Sequence, residues 1–226
     1  MYVKSTVLLL ALIPAVSVGA GEEPSSEMGA PAEVPDGHIL VREDVWVAFE
    51  DQPTQFFHRA REDFFKNDVK AAAAEVRMAV AFLRIESGRA TPEGKKALTA
   101  SVDELRKLAD DLEKRAVSSA STLDYAFAQA NYALAKHHQL MAEKAWAMQR
   151  PADTGGYLSS AAKYLERGAA WAGGGLKSGT AALLPRIKDL GIKLRDGTGW
   201  AAGEVGRGIQ ALGGEVEVLG SRLKER

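Results

Sequence analysis

The stretch LTASVDELRKLADDLEKRA, residues 98–116, decides the fold class of this chain. Its apolar residues recur at steps of 4, 3, 4, 3 and 4, as Leu98, Val102, Leu105, Ala109, Leu112 and Ala116. This spacing lines up one apolar stripe along an α-helix and leaves polar side chains on the opposite face. The sequence therefore predicts an amphipathic helix that packs against other helices.

The same helical period extends on both sides of this stretch. Apolar residues at helical spacing fill residues 57–64, 72–83, 123–141 and 158–169. The breaks between these segments are short, which favours antiparallel neighbours, and Ser121 with Asp124 fits a capping box at one helix start. We therefore predict an all-α protein whose body, residues 52–172, is an antiparallel bundle of about four to five helices.

Residues 173–226 differ from this body in composition, because they hold 13 of the 22 glycines. Four of these glycines recur every seven residues, each after an apolar residue or threonine, from Gly199 to Gly220. The pattern predicts a C-terminal amphipathic helical tail with a glycine heptad. Its predicted interaction residues are Val205, Gly206, Ile209, Leu212, Gly213, Val216, Leu219, Gly220 and Leu223.

Glycine inside a helix lowers the stability of that helix by about 1 kcal/mol relative to alanine. A regular line of glycines therefore indicates that an interaction made at those positions offsets this loss. The gain that glycine offers is close approach of a second backbone or surface. We expect the tail to dock on the bundle, on a second copy of the chain or on a membrane surface.

The N-terminal residues predict export. Lys4 precedes an apolar run over residues 7–18, and small residues at Val18-Gly19-Ala20 fit signal-peptidase cleavage. Residues 21–51 begin with a stretch rich in glutamate, proline and serine, which favours a flexible leader. We therefore expect a signal peptide over residues 1–20 and a periplasmic or secreted protein.

Composition excludes several classes of function. The chain has 29 basic and 30 acidic residues, and this balance argues against a nucleic-acid partner. It has no cysteine, which excludes disulfides, thiol nucleophiles and cysteine-bound metals. No phosphate loop or nucleophile elbow occurs. We expect no enzyme activity and no cofactor, and we predict a role in protein–protein interaction or envelope structure, with a protein partner or self-association.

A metal-binding role is the alternative. His137 and Met141 stand four residues apart on one predicted helix face, His138 adjoins them, and His58 could approach from another helix. Imidazole and thioether ligands suit copper, and imidazoles also suit zinc. His58 could equally pair with Glu62 one turn away. These four residues, His58, His137, His138 and Met141, are the candidate ligands for Cu or Zn.

The acidic residues indicate a metal site less clearly than the histidines do. Glu75 and Glu86 lie on helical stretches, where we expect them to be solvated or paired. No Glu-x-x-His sequence is present, so a carboxylate-bridged di-iron bundle is not expected.

One segment resembles a known repeat. Residues 58–85 place small residues and an Asn67-Asp68-Val69 turn at the spacing of a tetratricopeptide-type helical hairpin, with Asn-Asp-Val where that family often shows Gly-Asp-Tyr. The resemblance implies a packed helical hairpin and, for a full repeat array, peptide binding on a concave face. The flanking predicted helices, near residues 92–117 and 121–149, are about twice as long as the helices of that repeat.

Overall fold

The computed structural model describes residues 51–176 and 178–225. The regular elements of this part of the chain are all α-helices, so the prediction of an all-α fold is confirmed. The signal-peptide prediction, and the leader prediction up to residue 50, lie outside the described residues. The seven helices of the described part are α1 Gln52–Phe65, α2 Val69–Arg89, α3 Pro92–Glu113, α4 Ala120–Ala147, α5 Pro151–Trp171, α6 Ser178–Asp196 and α7 Ala202–Lys224.

Capping side chains and left-handed residues set the helix ends. The Asp68 carboxylate accepts a hydrogen bond from the Ala71 amide at the start of α2, and the Thr91 hydroxyl accepts one from the Gly94 amide at the start of α3. Asn67 lies in the connection between α1 and α2, and its φ of 60° is the left-handed conformation in which many helices end. The predicted capping box at Ser121 is wrong, because Ser119 caps α4 instead.

Helix α4 occupies the centre of the described structure. It contacts α1, α3, α5 and α7, and it is buried along most of its length. The helices from α1 to α5 each pack on the next one along the chain through short connections, as antiparallel neighbours do. The side chains that α4 presents are therefore enclosed by helices on several sides.

The tail folds onto α4 in the same chain. Its apolar stripe is buried, and the Tyr125 hydroxyl of α4 donates a hydrogen bond of 2.8 Å to the Leu223 carbonyl. Lys136 of α4 also pairs with Glu217 of α7 at 2.9 Å. The buried apolar residues of α7 are Val205, Ile209, Leu212, Val216, Leu219 and Leu223.

The heptad glycines differ in their surroundings. A Cβ atom on Gly220 would lie 2.6 Å from the Tyr132 ring, and one on Gly213 would lie 3.0 Å from the Gln139 amide nitrogen. A Cβ atom on Gly206 would meet nothing within 4 Å, so close approach does not account for that glycine. A close approach of two backbones lies outside the heptad, where a Cβ atom on Gly191 of α6 would lie 2.7 Å from the Gly155 carbonyl oxygen of α5.

Candidate functional site

A buried polar cluster lies between α2 and α4. It consists of Glu86, three residues before the end of α2, and the adjacent histidines His137 and His138 of α4, all of them fully buried. One nitrogen of each imidazole and one oxygen of the Glu86 carboxylate lie within 4.8 Å of one another. Among the described residues this is the one group of three or more histidine or acidic side chains with the spacing of a metal site. We call Glu86, His137 and His138 the buried cluster.

The Glu86 carboxylate is already engaged by one cation and one imidazole. The guanidinium of Arg89, one turn along α2, donates hydrogen bonds of 2.7, 2.9 and 3.1 Å to its two oxygens. The Nε2 atom of His137 lies at hydrogen-bond distance, 3.1 Å, from Glu86 Oε2. The Nε2 atom of His138 lies 3.8 Å from the same oxygen, beyond hydrogen-bond distance.

Three nitrogens of the cluster lack a hydrogen-bond partner, namely Nδ1 of His137 and both nitrogens of His138. The His138 ring stacks on the Tyr164 ring with centroids 5.3 Å apart, which holds it in place without satisfying either nitrogen. An unsatisfied buried polar atom costs about 1–3 kcal/mol. Such atoms in a well-packed interior call for a specific explanation. One of them, His138 Nε2, lies 3.8 Å from the Glu86 carboxylate.

Burial and charge act in opposite directions on the two kinds of group. Burial alone would raise the pKa of Glu86, but the hydrogen bond from His137 and the charges of His138 and Arg89 lower that pKa to about 2. Burial lowers the pKa of His138 well below its ordinary value of 6.5. At neutral pH Glu86 is therefore an anion and His138 a neutral imidazole. Both are the protonation states that bind a metal cation.

The structure brings together two of the four predicted metal ligands. His137 and His138 join the buried cluster, whereas His58 is exposed, with its ring 5.1 Å from that of Trp171. Met141 lies one helical turn from His137 and is half-buried. The third polar group beside the imidazoles is thus a carboxylate rather than a predicted thioether or third imidazole.

The prediction for Glu86 is confirmed in part. It was expected to be a solvated or paired carboxylate, and it is paired with Arg89 but fully buried. The sequence held a signal for this position, because the apolar stripe of α2 steps by 4, 3, 4 and 3, and its last step falls on Glu86. That stripe runs through Ala72, Val76, Ala79, Leu83 and Glu86.

The opposite face of α2 carries a second apolar stripe, which faces solvent. Its two large side chains are exposed to solvent, Met78 by 53% and Ile85 by 57%. The stripe steps by 3, 4, 3, 4 and 3, which is heptad spacing. We call it the outer stripe, and it consists of Ala71, Ala74, Met78, Ala81, Ile85 and Gly88.

Exposed cations follow the outer stripe on the side that faces α3. They are Lys70, Arg77 and Arg84, at seven-residue intervals. Arg77 pairs with Asp110 and Glu113 of α3, whereas Arg84 has no ion pair within the part of the chain that the structure describes. The outer stripe is thus an apolar strip with a basic border.

The chain matches no protein-family model, no curated protein and no solved structure. None of the described helices has the length and apolar content to cross a membrane. The buried cluster and the outer stripe must therefore be interpreted from their own chemistry.

Proposed function

We propose that this chain is an exported, non-enzymatic helical protein that binds a helix of another protein along the outer stripe of α2. One observation carries the proposal, namely an exposed apolar stripe with heptad spacing on a helix whose other face is already buried. Exposed apolar patches on soluble proteins mark interaction surfaces. Export rests on the signal-peptide pattern of residues 1–20.

The shape of the outer stripe favours a helix as the bound element. Apolar residues at alternating steps of 3 and 4 form the seam against which a second helix packs. Small residues, such as Ala74 and Ala81, alternate with Met78 and Ile85, so a partner helix can approach closely between the two large side chains. The stripe spans Ala71 to Gly88, about 26 Å at 1.5 Å per residue, which is enough for several turns of a partner.

The basic border favours a partner with acidic flanks over a second copy of this chain. An antiparallel pair of α2 helices would bring the borders of Lys70, Arg77 and Arg84 against each other. A parallel pair would place Arg84 beside Arg89 of the other copy. Acidic residues beside the apolar seam of a partner would instead meet opposite charge, which raises the association rate and sets orientation.

The tail has a different part in this proposal. Its apolar stripe is buried against α4 and neighbouring helices of the same chain, so self-association through it would require the tail to leave that site. We therefore assign the tail to packing within the chain, and the interaction to α2.

A pair of synthetic peptides tests the proposal. Both are three-heptad amphipathic helices with leucine along one seam; one carries glutamate and the other lysine beside that seam. In a fluorescence-anisotropy titration we expect the acidic peptide to bind and the basic peptide to bind at least about tenfold more weakly. Ile85→Glu should weaken binding of the acidic peptide by a similar factor. Ile192→Glu, at a 48% exposed isoleucine of α6, is the matched control and should leave binding unchanged.

Equal binding of the two peptides, or equal effects of the two substitutions, would contradict the proposal. A photo-crosslinking amino acid at position 85, used in the native cell envelope, identifies the occupant. An adduct with another protein that is lost in the Met78→Glu background supports the proposal. An adduct with a second copy of this chain would assign the outer stripe to self-association instead.

A further inference from the structure

We infer that Glu86, His137 and His138 form a binding site for a divalent cation of the zinc type. In this site the metal ion and the Arg89 guanidinium compete for the Glu86 carboxylate, so that only one of the two cations is bound to it at a time. The inference rests on the convergence of three donor groups, on the unpartnered nitrogens among them and on the exposure of Arg89. It is independent of the interaction proposed for the outer stripe.

The donor distances are close to those of a tetrahedral site. Zinc binds imidazole nitrogen and carboxylate oxygen at about 2.0–2.2 Å, which places two donors about 3.4 Å apart. Glu86 Oε2 lies 3.1 Å from His137 Nε2 and 3.8 Å from His138 Nε2. Shifts of a few tenths of an ångström would bring these two distances to the tetrahedral value. The donor nitrogens of the two imidazoles lie within 4.8 Å of each other, so the rings would close around the ion on the third edge, with water as the fourth ligand.

The chemistry of the donors selects the class of metal. Two imidazoles and one carboxylate form a ligand set found in zinc proteins. Soft Cu(I) favours thiolate and thioether ligands, and the group that completes the buried cluster is the hard carboxylate of Glu86. Cu(I) is therefore less suited to this cluster than zinc is.

Arg89 explains how a fully enclosed anion could exchange one cation for another. It is the last residue of α2, and its side chain is 31% exposed, so the guanidinium reaches Glu86 from the protein surface. A metal ion between the carboxylate and the imidazoles would repel the guanidinium and compete with it for the same oxygens. Departure of Arg89 toward solvent would open a route to the cluster, and its return would restore the present ion pair.

Zinc titration of the purified mature chain tests this inference, with Zn²⁺ as the only added ligand and a chelator to set its free concentration. We expect one Zn²⁺ per chain. Arg89→Gln should tighten binding at least about tenfold, because it removes the competing cation while keeping a polar side chain. A purely structural role of the cluster would not produce this gain.

Loss of a donor should have the opposite effect. His138→Phe keeps the ring that stacks on Tyr164 but removes both nitrogens, and it should weaken Zn²⁺ binding at least about a hundredfold. His58→Phe, at an exposed histidine outside the cluster, is the matched control and should bind Zn²⁺ as the unmodified chain does. Equal loss in both variants, or no loss in His138→Phe, would overturn the inference.

Cobalt provides a readout that does not depend on a folded variant. Co²⁺ in a four-coordinate site of the unmodified chain absorbs intensely in the visible range, whereas Co²⁺ held loosely by surface carboxylates does not. We expect the intense absorption at one equivalent of Co²⁺ and its loss on addition of Zn²⁺. Its absence from both the unmodified chain and Arg89→Gln would overturn the inference.

Discussion

Two neighbouring residues of α2, one exposed and one buried, reverse the usual distribution of apolar and charged side chains. Ile85 is 57% exposed, although isoleucine is among the residues most often buried, whereas Glu86 is 0% exposed, although glutamate is rarely buried without a partner. One residue belongs to the outer stripe and the other to the buried cluster. The last turns of α2 therefore carry an apolar surface outward and an ionised carboxylate inward.

The comparison shows that the stability of the chain alone does not account for a buried Glu86 and an exposed Ile85 at the end of α2. Burying a charge is costly unless it is paired and hydrogen-bonded, and Glu86 relies on Arg89 and His137 for both. Exposing Ile85 forgoes the hydrophobic stabilisation that its burial would give. The proposals above give each residue a partner, namely a cation for Glu86 and a helix of another protein for Ile85.

The largest expected effect is that of removing the inner carboxylate. Glu86→Ala leaves the Arg89 guanidinium and the His137 ring without their acceptor, and we expect the free energy of unfolding to fall by about 3–5 kcal/mol. Urea unfolding followed by circular dichroism measures this loss. The control is Glu75→Ala on the same helix, which breaks the more exposed pair with Arg59 and should cost at most about 1 kcal/mol. Similar losses in the two variants would mean that the cluster is not a special part of the interior.

The buried cluster should also make the stability of the metal-free protein sensitive to acid. The pKa of Glu86 is about 2 in the folded chain and 4.5 ordinarily, so on acidification the unfolded chain binds this proton first. The contribution of Glu86 to stability is complete above about pH 4.5, and about 3 kcal/mol is lost as the pH falls toward 2. The pKa of His138 lies below 6.5, so its contribution begins to be lost as the pH falls through 6.5.

Urea unfolding in the presence of a chelator, at a series of pH values from 7 to 3, measures this acid sensitivity. Glu86→Gln should remove the step below pH 4.5 and leave the loss that begins near pH 6.5. The same profile in Glu86→Gln and in the unmodified chain would show that other carboxylates determine the acid response.

The same substitution at two glycines compares the outer stripe with the surroundings of the buried cluster. A Cβ atom on Gly88 of the outer stripe would meet nothing within 4 Å, so Gly88→Ala should raise the free energy of unfolding by about 0.5 kcal/mol. A Cβ atom on Gly94 of α3 would lie 3.3 Å from His137 Nδ1 and 3.2 Å from the Thr91 hydroxyl. Crowding beside the buried cluster should outweigh the helix preference of alanine there, with a net loss of about 1 kcal/mol. Equal shifts of the unfolding midpoint in the two variants would contradict this difference.

The helical period predicted the all-α fold because each helix buries one stripe, and stripes such as that of residues 98–116 are visible in a single sequence. The candidate site was only partly visible. His137 and His138 stand together in the sequence, but Glu86 is 51 residues from His137, and its burial depends on Arg89 and on the packing of α2 against neighbouring helices. Sequence patterns do not carry those distances, so the sequence predicted a solvated or paired carboxylate at the end of this apolar stripe and did not predict its full burial.

The outer stripe was equally open to sequence analysis and was missed for a different reason. Residues 71–74 are four consecutive alanines, which satisfy an inner and an outer stripe at once. Only the packing of α1 and α3 on either side of α2 shows which face stays exposed. His58 likewise could not be separated from the other histidines until the structure placed it beside Trp171.

The smallest expected effect on stability is that of a charge on the outer face. Ile85→Glu should change the free energy of unfolding by no more than about 0.5 kcal/mol, because this side chain is mostly in water and its substitution removes little packing within the chain. The same substitution should nevertheless abolish most of the peptide binding proposed for the outer stripe, so binding and stability separate at this residue. Thermal or urea unfolding measures the stability change in the absence of peptide. A loss above about 1.5 kcal/mol would show that Ile85 supports the fold of the chain itself, and the outer stripe would then be part of the interior rather than a surface for another helix.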